Sequence, residues 1–260
     1  MLNPEETKIR QVRVHKPMRI NESGPRVADL RGVVFDMDGV LVDSHPAHRK
    51  AWRLFLHTLG RDVGDSELDF ILDGRKRGDI LRHFLGDCPE HELEEFGRRK
   101  DGILRKIQLS VVPVPGVIRL VHELRGCGVA LAVATSASRS RARSTLVELG
   151  LLDCFDAVVT GEDVQHGKPD PGIYLLACDR LQLESNCLLA VEDAVSGIRA
   201  AVAAGLRCLA VALHRAPETL KSAGAAHVVP DFDIVSAADL EDILLRCNLA
   251  APQAAVMRSS

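Results

Sequence analysis

Four groups of polar residues follow apolar runs in this sequence, and their types suit the movement of a phosphoryl group. Asp36 and Asp38 follow Gly32-Val33-Val34-Phe35. Thr135 and Ser136 follow Val129–Ala134. Lys168 stands in Gly167-Lys168-Pro169-Asp170-Pro171, a loop away from Ala157–Thr160, and Glu192 and Asp193 follow Cys187–Val191. A carboxylate can attack phosphorus to give an aspartyl-phosphate, dividing one difficult step into two; Asp36 suits that role. A second carboxyl two residues on, Asp38, suits protonating the leaving oxygen and then taking a proton from incoming water or alcohol. The transferred group spreads negative charge over its oxygens and needs cations and hydrogen-bond donors around it. Lys168, Thr135 and backbone N–H groups suit that need. A hard divalent cation would offset repulsion between carboxylate and phosphate. Asp36, the Asp38 carbonyl and Asp193 are the expected ligands, with Glu192 as a further one. Each residue alone has a plainer reading: an Asp after a strand is often a cap or turn former, Lys-Pro a solvated turn, Thr-Ser a helix cap.

The elements that must position these residues alternate. Short apolar runs, the four above together with Cys208–Leu213 and His227–Val229, read as buried parallel strands. Helical patterns lie between them, at Gly116–Gly126, Ser140–Leu149, Pro171–Leu181, Val195–Ala204 and Ala237–Arg246. The expected fold class is α/β, a parallel sheet with helices on both faces. In such sheets the binding crevice lies at the carboxyl ends of the strands, where all four groups would converge. The alternation breaks after Pro46. Helices are expected over His48–Leu59, Glu67–Leu72, Arg77–Leu85 and Glu90–Leu109, and Val111–Gly116 reads as an extended linker. The expected division is a core of residues 30–45 and 114–249 and a small all-helical cap, 46–113, placed over the crevice like a lid. Residues 1–29 read as a flexible extension, with a basic arm as the alternative, and 250–260 as a frayed tail.

Of the 260 residues 46% are hydrophobic and 27% charged, enough for a sizeable core in an ordinary soluble chain. A net charge of -3, with one Trp and one Tyr, gives no reason to expect nucleic acid as a partner. No run suits a membrane span or a signal peptide. Seven Cys, none in a Cys-x-x-Cys pair, argue against a disulfide framework or structural zinc and for a reducing, cytoplasmic compartment.

Together, Asp36-Met37-Asp38-Gly39-Val40, Thr135-Ser136, Gly167-Lys168-Pro169-Asp170-Pro171 and Val191-Glu192-Asp193-Ala194-Val195-Ser196-Gly197 resemble the four motifs of the haloacid dehalogenase superfamily, over roughly residues 31–230. The resemblance implies a three-layer Rossmann-like core, Mg2+ and an Asp nucleophile, and the insert resembles the four-helix cap of the phosphatase-like branch, subfamily IA. Ala194 departs from the Ser of many relatives. Asp38 favours phosphoryl transfer, because the dehalogenases usually lack it. His48-Arg49-Lys50-Ala51-Trp52 resembles the cap helix of β-phosphoglucomutases, with His48 and Trp52 on one face. Leu72-Asp73-Gly74-Arg75-Lys76-Arg77 resembles their sugar-phosphate loop. Arg77 falls at their phosphate-binding Arg, where a guanidinium suits two-point phosphate contact, and Lys100 matches a cap Lys. Gly74, Ser136 and Ala137 complete the substrate-binding candidates. A packed helix face for His48 and Trp52, and solvated surface charges for Arg77 and Lys100, remain the alternatives. Ser44 stands where those mutases carry Thr, which tilts the expectation toward a phosphatase acting on a small sugar phosphate as a monomer. β-Phosphoglucomutase is the runner-up, and a non-catalytic metabolite-binding protein on this fold the remote one.

Overall fold

The structure is a computed structural model that describes residues 30–107 and 110–248. The extension 1–29 and the tail 250–260 therefore lie outside the described residues. Six parallel strands form one sheet: β1 (Gly32–Phe35), β2 (Ala130–Thr135), β3 (Ala157–Thr160), β4 (Leu188–Glu192), β5 (Arg207–Val211) and β6 (His227–Val229), in the order β3-β2-β1-β4-β5-β6. Strand residues alternate between two apolar cores. Val33, Phe35, Leu131, Val133 and Leu189 face α5 (Val117–Gly126), α6 (Arg139–Glu148) and α10 (Ala237–Asn248). Val34, Ala132, Ala134, Leu188 and Ala190 face α7 (Gly172–Leu181), α8 (Val195–Ala203) and α9 (Pro217–Ser222). Burial on both faces is why these strands read as continuous apolar runs. The result is the three-layer α/β arrangement.

Register decides where the chemistry emerges. Phe35 is level with Val133 on one side and Val191 on the other. Asp36, Thr135 and Glu192 thus leave the sheet at nearly one height, on its carboxyl edge. β1 lies between β2 and β4, where the strand order reverses and a crevice opens.

Between β1 and α5 the described residues form four helices, α1 (His45–His57), α2 (Asp65–Ile71), α3 (Arg77–Leu85) and α4 (Glu90–Ile107), with isolated bridges of Val42 to Asp38 and to Pro113. They enclose an apolar cluster of their own, including Trp52, Phe55, Leu68, Leu81, Phe84 and Leu93. Several boundaries differ from the sequence expectation. β2 and β4 extend one residue further, so Thr135 and Glu192 belong to the strands, and β5 stops at Val211, before Leu213. Helix α9 has only six residues, too few to show a helical period in sequence. Among the described residues no helix is long and apolar enough to cross a membrane.

Candidate active site

Two further constraints bring the carboxyl-edge residues into contact. The first is a buried cation. Lys168 Nζ donates to Asp36 Oδ1 at 2.7 Å, to Glu192 Oε1 at 2.5 Å and to the Ala134 carbonyl at 3.1 Å. Tyr174 Oη also donates to Glu192 Oε1, at 2.7 Å, while the Asp193 and Ala194 N–H groups donate to Oε2. Both oxygens of Glu192 are therefore satisfied by the protein. The second constraint is space. A Cβ on Gly197 would fall 1.9 Å from Glu192 Oε1, and one on Gly39 would fall 2.2 Å from Asp193 Oδ2. Gly39 also has φ +80°, in the left-handed region that favours glycine.

Charge is concentrated here. Burial pushes the Asp36 carboxyl up; Lys168 opposes this, while Glu192, Asp193 and Asp38 add to it. Burial lowers Lys168, but Asp36 and Glu192 more than offset that and hold it above the usual lysine range. A second cation would relieve the remaining repulsion. Asp36, Glu192 and Asp193 offer oxygen atoms within 4.8 Å of one another, a hard donor set that fits Mg2+. Asp36 and Asp193 are the freer pair, because Glu192 already serves Lys168 and Tyr174.

Above this floor the cleft has a volume of about 750 Å³ and is lined by all the sequence-predicted site residues except Lys168 and Glu192, which lie beneath it. Asp38 lies on its wall. Ser44 occupies the N-cap position of α1 without capping the helix, because its hydroxyl donates to Asp38 Oδ1 at 2.5 Å. The Arg141 guanidinium grips the same carboxylate, Nη1 to Oδ1 at 2.9 Å and Nη2 to Oδ2. Burial would raise the Asp38 pKa, but Arg141, His48 and these hydrogen bonds hold it well below the usual carboxylate range.

The helical insert closes the other side. His48 Nε2 stands 3.7 Å from Asp38 Oδ1, and its Nδ1 is 3.2 Å from Lys100 Nζ. Burial and Lys100 push this imidazole down. A neutral ring accepting at Nδ1 turns its Nε2–H toward Asp38. Lys100 is buried, not solvated; its ammonium lies 5.3 Å from the Trp52 ring centroid, and burial lowers its pKa to about 8. Arg77 pairs with Asp101 at 2.5 Å, over Gly97, where a Cβ would fall 2.3 Å from its Nε. The loop before α3 rests on the core. Ser136 Oγ donates to the Gly74 carbonyl at 2.6 Å, Ser196 Oγ to that of Asp73, and Lys76 Nζ to that of Val164 at 2.9 Å. Arg215 Nη2 donates to the Leu72 carbonyl at 3.0 Å. Thr135 Oγ1 accepts from the Ala137 N–H at 3.2 Å.

Sequence reasoning missed four participants. They are Arg141, Tyr174, Arg215 and His45, whose Nε2 is 3.1 Å from Asp193 Oδ2 and whose ring stacks on His214. Only Arg141 left a trace. Arg139 and Arg141 open α6 with no acid in its first turn, against the preference of a helix dipole.

Known proteins resemble this chain in sequence and fold. The profile of the haloacid dehalogenase-like hydrolases matches residues 30–205. The fructose-1-phosphate phosphatase of Escherichia coli (strain K12) is 35% identical over 189 residues, 70% of this chain and 96% of that one. The validoxylamine A 7'-phosphate phosphatase of Streptomyces hygroscopicus subsp. limoneus is 32% identical over 191 residues, 73% of this chain and 89% of that one. A solved β-phosphoglucomutase from Clostridium difficile superposes with TM-score 0.77 at 22% identity, covering 85% of this chain and 99% of that one. At that identity the likeness bears on the fold alone.

Proposed function

This chain belongs to the haloacid dehalogenase-like hydrolases, and from that premise we propose that it is a magnesium-dependent phosphatase that releases phosphate from a small sugar phosphate through an aspartyl-phosphate at Asp36. The observation that carries the reading is Lys168. It is fully buried between Asp36 and Glu192, so it fixes the nucleophile at the cleft floor and supplies positive charge behind it. The two curated relatives above, both named as phosphatases of small phosphorylated compounds, support the substrate class.

In this mechanism an Asp36 carboxylate oxygen forms a bond to phosphorus as the bond to the leaving alcohol oxygen breaks. Asp38, ionised while Arg141 holds it, leaves that pair and takes up a proton from solvent before delivering it to that oxygen. Asp38 then takes a proton from a water that attacks the phosphorus, the Asp36–phosphorus bond breaks, and inorganic phosphate leaves. Lys168 and Thr135 hold the charge that develops on the phosphoryl oxygens. Glu192 anchors Lys168, Tyr174 steadies Glu192, and the insert, residues 46–113, works as a cap that excludes water while substrate is held. Mg2+, held by Asp36, Asp193 and the Asp38 carbonyl, supplies charge neutralisation when bound.

A second reading, β-phosphoglucomutase, is favoured by one observation: His48, Lys100 and Arg77 all face the cleft from the insert, where they could hold a sugar while its hydroxyl replaces water. A phosphomonoester panel with β-glucose 1-phosphate, with and without a bisphosphate primer, separates the readings. Free phosphate is expected. Glucose 6-phosphate formed with little phosphate released would replace the phosphatase by the mutase.

A further inference from the structure

We propose that Arg141 is a substrate-selecting residue: it holds Asp38 until a second anionic group on the substrate, a phosphate or carboxylate remote from the phosphoryl being transferred, takes over its guanidinium. This deepens the reading above and rests on Asp38 as the acid/base group. Both Asp38 oxygens are occupied by Arg141, and Oδ1 also accepts from Ser44 at 2.5 Å. With Ser44 on Oδ1 and the guanidinium across both oxygens, three of about four acceptor sites of Asp38 are filled, so the group is freed to meet a leaving oxygen when the guanidinium lets go. Released alone, it would be left half-buried and unpaired, which is costly. A guanidinium fork accepts another carboxylate or a phosphate in the same two-point manner. The transferred phosphoryl already has Lys168 behind Asp36. A separate anion on the same substrate is therefore the partner that frees Asp38.

The surroundings favour such a group. Arg141 lies in the first turn of α6, which contains no acid; a helix start disfavours a cation there and favours an anion. On the same cleft, Arg77 and Lys100 share a single carboxylate, Asp101, at 2.5 and 3.5 Å. At these contacts three cations meet two carboxylates, Asp38 and Asp101, so the guanidiniums and the ammonium share their partners, although the lining of the whole cleft holds at least as many carboxylates as Lys and Arg. Arg141 and Asp38 are 103 residues apart, so the contact is made by the fold and not by local chain geometry.

The test compares substrates that share a skeleton: glucose 6-phosphate against glucose 1,6-bisphosphate, and sorbitol 6-phosphate against 6-phosphogluconate. Phosphate release is followed with the wild type, Arg141→Gln and Arg141→Lys. In the wild type, kcat/KM is expected to be on the order of 10- to 100-fold higher for the member with the second anion, the scale of a charge-assisted contact. In Arg141→Gln that ratio is expected to fall to about one. Arg141→Lys keeps the charge without the fork and should give a reduced, intermediate ratio. If the Gln variant fails to fold, the Lys variant decides by whether its ratio is reduced. A wild-type enzyme without the preference, or a ratio unchanged by substitution, overturns the inference; an unchanged ratio would make Arg141 a permanent brace whose loss slows both substrates alike. No phosphate release from any of the four compounds would overturn the phosphatase reading and this inference with it. Activity with a flat ratio overturns this inference alone.

Discussion

On the floor of the cleft, Lys168 and Glu192 are fully enclosed and both Glu192 oxygens have donors, whereas on its walls Arg141, Arg77 and Lys100 grip carboxylates that a ligand could displace. The floor contacts join residues fixed by strands and the turns after them. The wall contacts join long side chains to carboxylates, within the core for Arg141 and Asp38 and within the insert for Arg77, Lys100 and Asp101. A fully satisfied buried network is rigid and suits chemistry that is the same for every substrate. Displaceable pairs suit the part that distinguishes one substrate from another.

Changes on the two sides should therefore differ in kind as well as size. Lys168→Met is expected to lower kcat by roughly 10²- to 10³-fold, since it removes charge at the reacting group. Arg77→Ala should instead raise KM by roughly tenfold with a smaller effect on kcat, because it removes binding away from the reacting bond. Steady-state kinetics on one sugar phosphate checks both. Equal kcat losses would erase the distinction between floor and wall.

Gly197→Ala probes how tightly the floor is seated. The added Cβ meets a carboxylate that is held on both oxygens. About 1–3 kcal/mol of destabilisation is expected, read as a lower midpoint in thermal unfolding. An unchanged midpoint would mean that Glu192 has room to move.

The smallest expected effect comes from the wall. Burial lowers the Lys100 pKa to about 8, so its charge is present below that pH and is lost as pH rises through it. KM for an anionic substrate should rise a few-fold, roughly threefold, across that window, and Lys100→Arg should flatten the rise. A wild-type KM independent of pH from neutral to alkaline would remove Lys100 from substrate binding.

The floor was more legible in the sequence than the walls. Apolar runs buried on both faces advertise the strands, and a polar residue ending each run marks the edge it reaches. The structure brings Asp36, Thr135, Lys168, Glu192 and Asp193 together as their positions suggested. Tyr174 did not announce itself, because a Tyr on a core-facing helix position reads as packing. Pairings such as Arg141 with Asp38, or Arg215 with the Leu72 carbonyl, join positions more than a hundred residues apart, and no local period encodes them. Arg77 and Lys100 were legible as cations, but not their common partner Asp101. Helix α9 was too short to leave a pattern.

The central claim is that Asp36 is the nucleophile. Its most direct test is an acid quench of the magnesium-loaded enzyme during a single turnover, followed by peptide mass mapping. The account predicts a phosphoryl group on the peptide containing Asp36, at that residue, and none in Asp36→Asn, which should also release no phosphate. Phosphate released with full activity by Asp36→Asn, or a phosphoryl group found on another residue, would contradict it.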